Sequence, residues 1–104
     1  MIGGRRLAFR RIAEAALRSS ETIVTRWLPD GRREGREWVA INPTRTDSKK
    51  GSFKVNLNTG AWSDFATGAV GGDLVGLAAY LHGLNQPAAA IRVAAMLGID
   101  PYES

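Results

Sequence analysis

The sequence predicts an α+β domain: a small antiparallel ribbon with helices before and after it. Three observations carry this. Ser52-Phe-Lys-Val-Asn-Leu57 alternates, with Phe53, Val55 and Leu57 on one face and Ser52, Lys54 and Asn56 on the other, which is the period of a half-buried strand. Asn58-Thr59-Gly60 is turn chemistry ahead of Ala61-Trp62-Ser63-Asp64-Phe65, so the two segments pair as a hairpin. Gly71-Gly72-Asp73 then opens an apolar helix, with Asp73 placed to cap the free amides of its first turn.

Taken in order, Leu7 to Arg18 reads as a helix with Leu7, Ala8, Ile12, Ala15 and Ala16 on its apolar side, Phe9 at the margin and arginines elsewhere. Ser20 is placed to cap a second short helix through Leu28, whose buried side is Ile23, Val24, Trp27 and Leu28. Pro29-Asp30-Gly31 ends it. Arg32 to Arg36 reads as a charged turn, with Gly35 suited to a tight bend between strands. Glu37 to Ile41 is the first predicted strand, stopped by Asn42-Pro43 because proline biases its predecessor toward extended backbone. Thr44 to Gly51 is a polar tip. Asp73 to His82 is a helix with Leu74, Leu77, Ala78 and Leu81 on one face, closed by Gly83. Asn85-Gln86-Pro87 starts the last helix, in which Ala88, Ile91, Ala94 or Ala95, and Leu97 pack before Gly98. Asp100 to Ser104 reads as the start of a linker. The whole is one domain, 1–104, with a helical lead-in over 1–28, the ribbon over 37–67 and C-terminal helices over 73–98.

Composition bounds the function. The 104 residues include no cysteine and one histidine, which leaves a structural zinc site almost without ligands. No apolar run approaches the ~20 residues that span a bilayer, and no apolar signal core follows the basic N-terminus. The expected compartment is the cytoplasm, with no membrane partner. Fourteen Lys and Arg face ten Asp and Glu, for a net charge of +4, a balance that favours polyanions and also simply aids solubility.

Asn42-Pro43-Thr44-Arg45, Ser52-Phe53-Lys54-Val55, Asp64-Phe65-Ala66-Thr67-Gly68 and Gly71-Gly72-Asp73 follow one another in an order and spacing that resemble the N-terminal zinc ribbon of bacterial-type DNA primases. The likeness is to the divergent form at the front of primase or primase-helicase proteins of phages, plasmids and integrated elements. It covers roughly residues 25 to 100, including the segment from Leu28 to Trp38. In that family a Cys-Pro-x-His knuckle precedes a Ser-Phe-x-Val strand, and a Cys-x-x-Cys-Gly knuckle leads through Gly-Asp into an apolar helix. The resemblance places the four metal positions on Asn42, Arg45, Asp64 and Thr67. None is a cysteine or histidine, so the expected ribbon is metal-free and needs no cofactor. A polar cluster of these four residues would replace the metal, with Arg45 gripping Asp64 through paired hydrogen bonds and Asn42 and Thr67 bonding loop amides.

The function implied is that of a non-catalytic domain that engages single-stranded template for primer synthesis. Its partner would be a catalytic primase or helicase domain, in the same or another chain. The candidate contacts are Arg32, Arg33, Lys49, Lys50, Lys54 and Trp62. For the three arginines of the turn a solvated loop is an equal reading. Trp62 is either a stacking platform for an unpaired base or a core residue, and Phe65 is expected in the core. Gly68 to Asp73 lacks the Lys-Ser or Lys-Thr of a phosphate loop and reads as a turn and cap. His82 sits at a helix end with no nucleophile or carboxylate pattern to pair with it. The carboxylates are scattered rather than clustered as magnesium-dependent catalysis requires. A second reading is a docking module of a replication protein that has lost DNA contact.

Overall fold

A computed structural model describes residues 5–44 and 52–103; Arg45, Lys49 and Lys50 lie outside them. The predicted α+β class holds. Along the chain come α1 (Phe9–Leu17), α2 (Ser20–Trp27), β1 (Arg32–Glu34), β2 (Glu37–Ala40), β3 (Phe53–Asn56), β4 (Trp62–Asp64), β5 (Ala69–Gly71), α3 (Leu74–His82) and α4 (Gln86–Leu97). The strands form one antiparallel sheet in chain order, β1-β2-β3-β4-β5.

The alternation of β3 sets the two faces. Phe53 and Val55 are buried while Lys54 and Asn56 are half-exposed. Register then carries one inward row, Trp38, Val55, Trp62 and Gly71, and a second, Ala40, Phe53, Asp64 and Ala69. These rows pack under α1–α4 in a single core with Ile12, Val24, Leu74, Leu77 and Val93. Phe53 is fully buried, its ring nearly parallel to Trp62 at 6.2 Å and facing Tyr80 of α3 at 6.1 Å. Burying a side chain of this size contributes about 2–3 kcal/mol. Trp62 reaches past β5, where a Cβ on Gly71 would lie 2.3 Å from its ring, so only glycine lets the edge strand close.

Local signals set the helix ends. Asp73 Oδ1 accepts from the Gly76 amide at 2.8 Å and Asn85 Oδ1 from the Ala88 amide at 2.9 Å, satisfying donors that the first turn leaves free. Ser20 departs from expectation. It begins α2 rather than capping it, and its hydroxyl donates instead to the Leu57 carbonyl at 2.7 Å, buried between α2 and the end of β3. The helix faces also shift. In α4 the buried residues are Ala89, Ala90, Val93 and Ala94, with Ile91 at 42% exposure, and Phe9 of α1 is exposed.

Two segments expected as turns are strands. β1 is exposed at all three positions and is held by pairing with β2 through the bend at Gly35, whose φ of 64° favours glycine. β5 follows a second turn at Gly68. The expected linker is also a docked segment. The Ala8 amide donates to Pro101 O, the Glu103 amide donates to Arg6 O, and Arg11 Nη2 reaches both Asp100 O and Tyr102 O at 2.8 and 2.7 Å. Arg5 stacks over the Tyr102 ring.

Candidate functional site

Of the residues at the expected metal positions, Asn42 and Asp64 meet at the end of the inward face. Asn42 and Asp64 are each 1% exposed, because β2 ends into Asn42 and the register sets Asp64 opposite Phe53. Asn42 Nδ2 donates to Asp64 Oδ2 at 2.7 Å and to the Tyr80 hydroxyl at 2.9 Å. Asn42 Oδ1 accepts from the Thr44 amide and hydroxyl at 2.9 and 2.7 Å, and Asp64 Oδ1 accepts from the Ala66 amide at 2.9 Å. Thr67 closes its own loop, its hydroxyl accepting from the Ala69 amide at 3.2 Å. Hydrogen bonds from Thr44 first, then Asn42 and Thr67, favour the Tyr80 phenolate. They hold its pKa below the ordinary tyrosine value against burial and the negative charge of Asp64. The chemistry of this donor set is that of a hydrogen-bonded knot tying β2, β4 and α3 together. Among the described residues no group of three His, Cys, Asp or Glu is placed to hold a metal ion.

The opposite face of the sheet carries the cations. One cross-strand row runs Arg32, Val39, Lys54, Ser63, Val70. Phe65 extends this face beyond β4, its amide donating to Ser52 O at 2.9 Å. Its ring is 76% exposed, Val70 is 71% exposed, and the Lys54 ammonium lies 5.9 Å from the Phe65 centroid, within reach of a cation–π attraction. Arg32 Nε pairs with Glu34 at 2.7 Å in solvent, a pair weak enough to exchange for another anion.

Arg32 and Lys54 therefore share a face, but two other expected contacts do not join them. Arg33 pairs in register with Trp38 on the inward side and makes an ion pair with Glu21 of α2. Trp62, considered as a stacking platform, is 7% exposed and donates its indole N–H to Asp73 O at 3.1 Å. It is a core residue, and Phe65, expected inside, is the exposed ring. The signal that identifies Phe65 is parity. Trp62 and Asp64 are two apart and share a face, so Ser63 and Phe65 take the other.

No family model matches the chain, and no curated protein matches it.

Proposed function

We propose that the chain is a non-catalytic module that holds single-stranded DNA on the outer face of its sheet. It would present template to a catalytic primase or helicase domain, as the resemblance of its motifs implies. The observation that carries this reading is the exposed Phe65 ring beside Lys54, in line with Arg32 across the strands. An unpaired base offers a flat π-face to such a ring, and its phosphate falls to the flanking cations. That combination binds single strands without reading sequence. The Asn42–Asp64–Tyr80 knot supports the reading from the structural side, since it joins the loops where the family's metal would sit. It receives no chemical role.

The test is fluorescence anisotropy with a labelled thymidine oligomer, titrated at several salt concentrations. Two phosphates neutralised by Arg32 and Lys54 predict a log–log salt slope of about −1.4. Phe65→Ala removes stacking worth ~1–3 kcal/mol per base and leaves folding intact. Affinity unchanged in Phe65→Ala, or insensitive to salt, would refute the proposal. Val70, apolar, exposed and on the same sheet face as Phe65, favours one alternative: a surface that docks a partner protein. Binding of that kind persists in high salt and falls on Val70→Asp.

A further inference from the structure

On the helical side, remote from the outer sheet face, α2, α3 and α4 form a cleft of about 350 Å³ lined by Arg26, Trp27, His82, Arg92, Val93 and Met96, together with Ala78. Its charge is one-sided: two guanidinium groups with an imidazole beside them, and no carboxylate in the lining. Arg10, Arg32 and Arg33 each pair with a glutamate. Arg26 and Arg92 make no ion pair among the described residues. The carbonyl ends of α2 and α3 reach this side and account for Arg26 and His82, each in a last turn. They do not account for Arg92, which lies in the middle of α4. The wall beside these cations is aromatic, with Trp27 and His82 edge to face at 5.9 Å. Val93 and Met96 continue it as apolar surface.

We infer that this cleft binds a mononucleotide unit, its phosphate between Arg26, Arg92 and His82 and its base against Trp27 and Met96. The volume suits a ligand of that size, guanidinium forks match phosphate oxygens, and the apolar wall accepts a planar ring. A free nucleotide and the 5′-phosphorylated end of a strand present the same recognising chemistry. His82 supplies a reporter. Burial and then the Arg92 charge hold its pKa below the usual imidazole value. A phosphate placed between Arg26 of α2, Arg92 of α4 and the imidazole reverses that field and raises it. The site is independent of the sheet face, and neither proposal requires the other.

The experiment is a resonance titration of the labelled full chain with AMP, adenosine, and a short thymidine oligomer with and without a 5′-phosphate. The Trp27 indole and His82 ring signals are followed. AMP is expected to shift both and to raise the His82 pKa, while adenosine shifts neither. The pKa is read from the imidazole rather than from affinity, because a phosphate itself titrates near pH ~6. Arg92→Ala and Arg26→Ala should each weaken AMP by about tenfold or more, with Phe65→Ala unchanged. If only the 5′-phosphorylated oligomer binds, the ligand is a strand end; if AMP binds equally, it is a free nucleotide. No shift with either phosphate at millimolar concentration overturns the inference. So do shifts that survive the Arg26→Ala/Arg92→Ala double variant, and an acidic peptide that shifts these signals where AMP does not.

Discussion

Asp64→Ala tests whether the polar knot holds the sheet to α3. The carboxylate is 1% exposed and accepts from Asn42 Nδ2 at 2.7 Å and from the Ala66 amide at 2.9 Å. Ala66 is exposed, so water can replace its partner at little cost. Asn42 is 1% exposed, and its amide keeps only the Tyr80 hydroxyl among the acceptors described above. A hydrogen bond to a charged group contributes about 1.5–3 kcal/mol, and a stranded buried donor costs about 1–3 kcal/mol. The two statements overlap, so the expected loss is about 2–4 kcal/mol from a total of about 5–15 kcal/mol. In a domain of this size that lowers the melting temperature by about 8–20 °C. Asp64→Asn should fall between, because an amide can accept from Ala66 or from Asn42 but presents an N–H where the second oxygen was. Asp30→Ala, at an exposed turn, should stay within about 0.5 kcal/mol. Thermal melts by circular dichroism, with urea midpoints as a second measure, rank the three. If Asp64→Ala melts within about 3 °C of the parent, the knot contributes no stability and the reasoning fails.

Trp62→Ala should cost about 3–5 kcal/mol as a core truncation, whereas Phe65→Ala should stay within about 0.5 kcal/mol; comparable urea midpoints for the two would show the faces to be misassigned. Chelator should leave the melt unchanged, and elemental analysis should find no stoichiometric metal; zinc at one per chain, or a lower melting temperature in chelator, would overturn this. His82 has a folded pKa below its unfolded value of 6.5, so the unfolded chain binds the proton first as pH falls. Stability should therefore decline as pH drops below about 6.5 until the folded pKa is passed, and urea midpoints of His82→Gln should show a weaker decline; equal slopes would remove His82 as the cause.

What the sequence revealed and what it hid divide by the range of the interaction. The caps Asp73 and Asn85 were legible because each side chain bonds an amide three residues on. The two faces of β3 were legible because alternation is written in six consecutive residues. β1 was not, since Arg32-Arg33-Glu34 carries no apolar alternation and is a strand only because β2 offers it a partner. β5 was hidden in the same way, its close approach resting on the missing Cβ of Gly71 beneath the Trp62 ring. Nor did anything near Pro101 announce that its carbonyl would meet the amide of Ala8. Tyr80 has no local signature either: it lies off the apolar period of Leu74, Leu77, Ala78 and Leu81 in α3, and its hydroxyl's partners, Asn42 and Thr44, are remote in sequence.

The hairpin is different, because there the sequence itself decides between the two roles open to Trp62. A buried polar role for Asp64 and an exposed stacking role for Trp62 cannot both hold in one strand, since residues two apart project to the same side of the sheet. Granting Asp64 its place beside Asn42 fixes Trp62 inward, which the 7% exposure of its side chain matches. The same step sends Phe65 outward to the side of Lys54. Parity thus links the structural knot to the proposed binding face through three consecutive side chains: Asp64 anchors the strand inward, Ser63 and Phe65 necessarily take the opposite face, and Lys54 is the cross-strand partner of Ser63. A one-residue slip of β4 would exchange the two faces, burying Phe65 and stranding Asp64 in solvent. Stability of the knot and presentation of the aromatic ring are consequences of a single register.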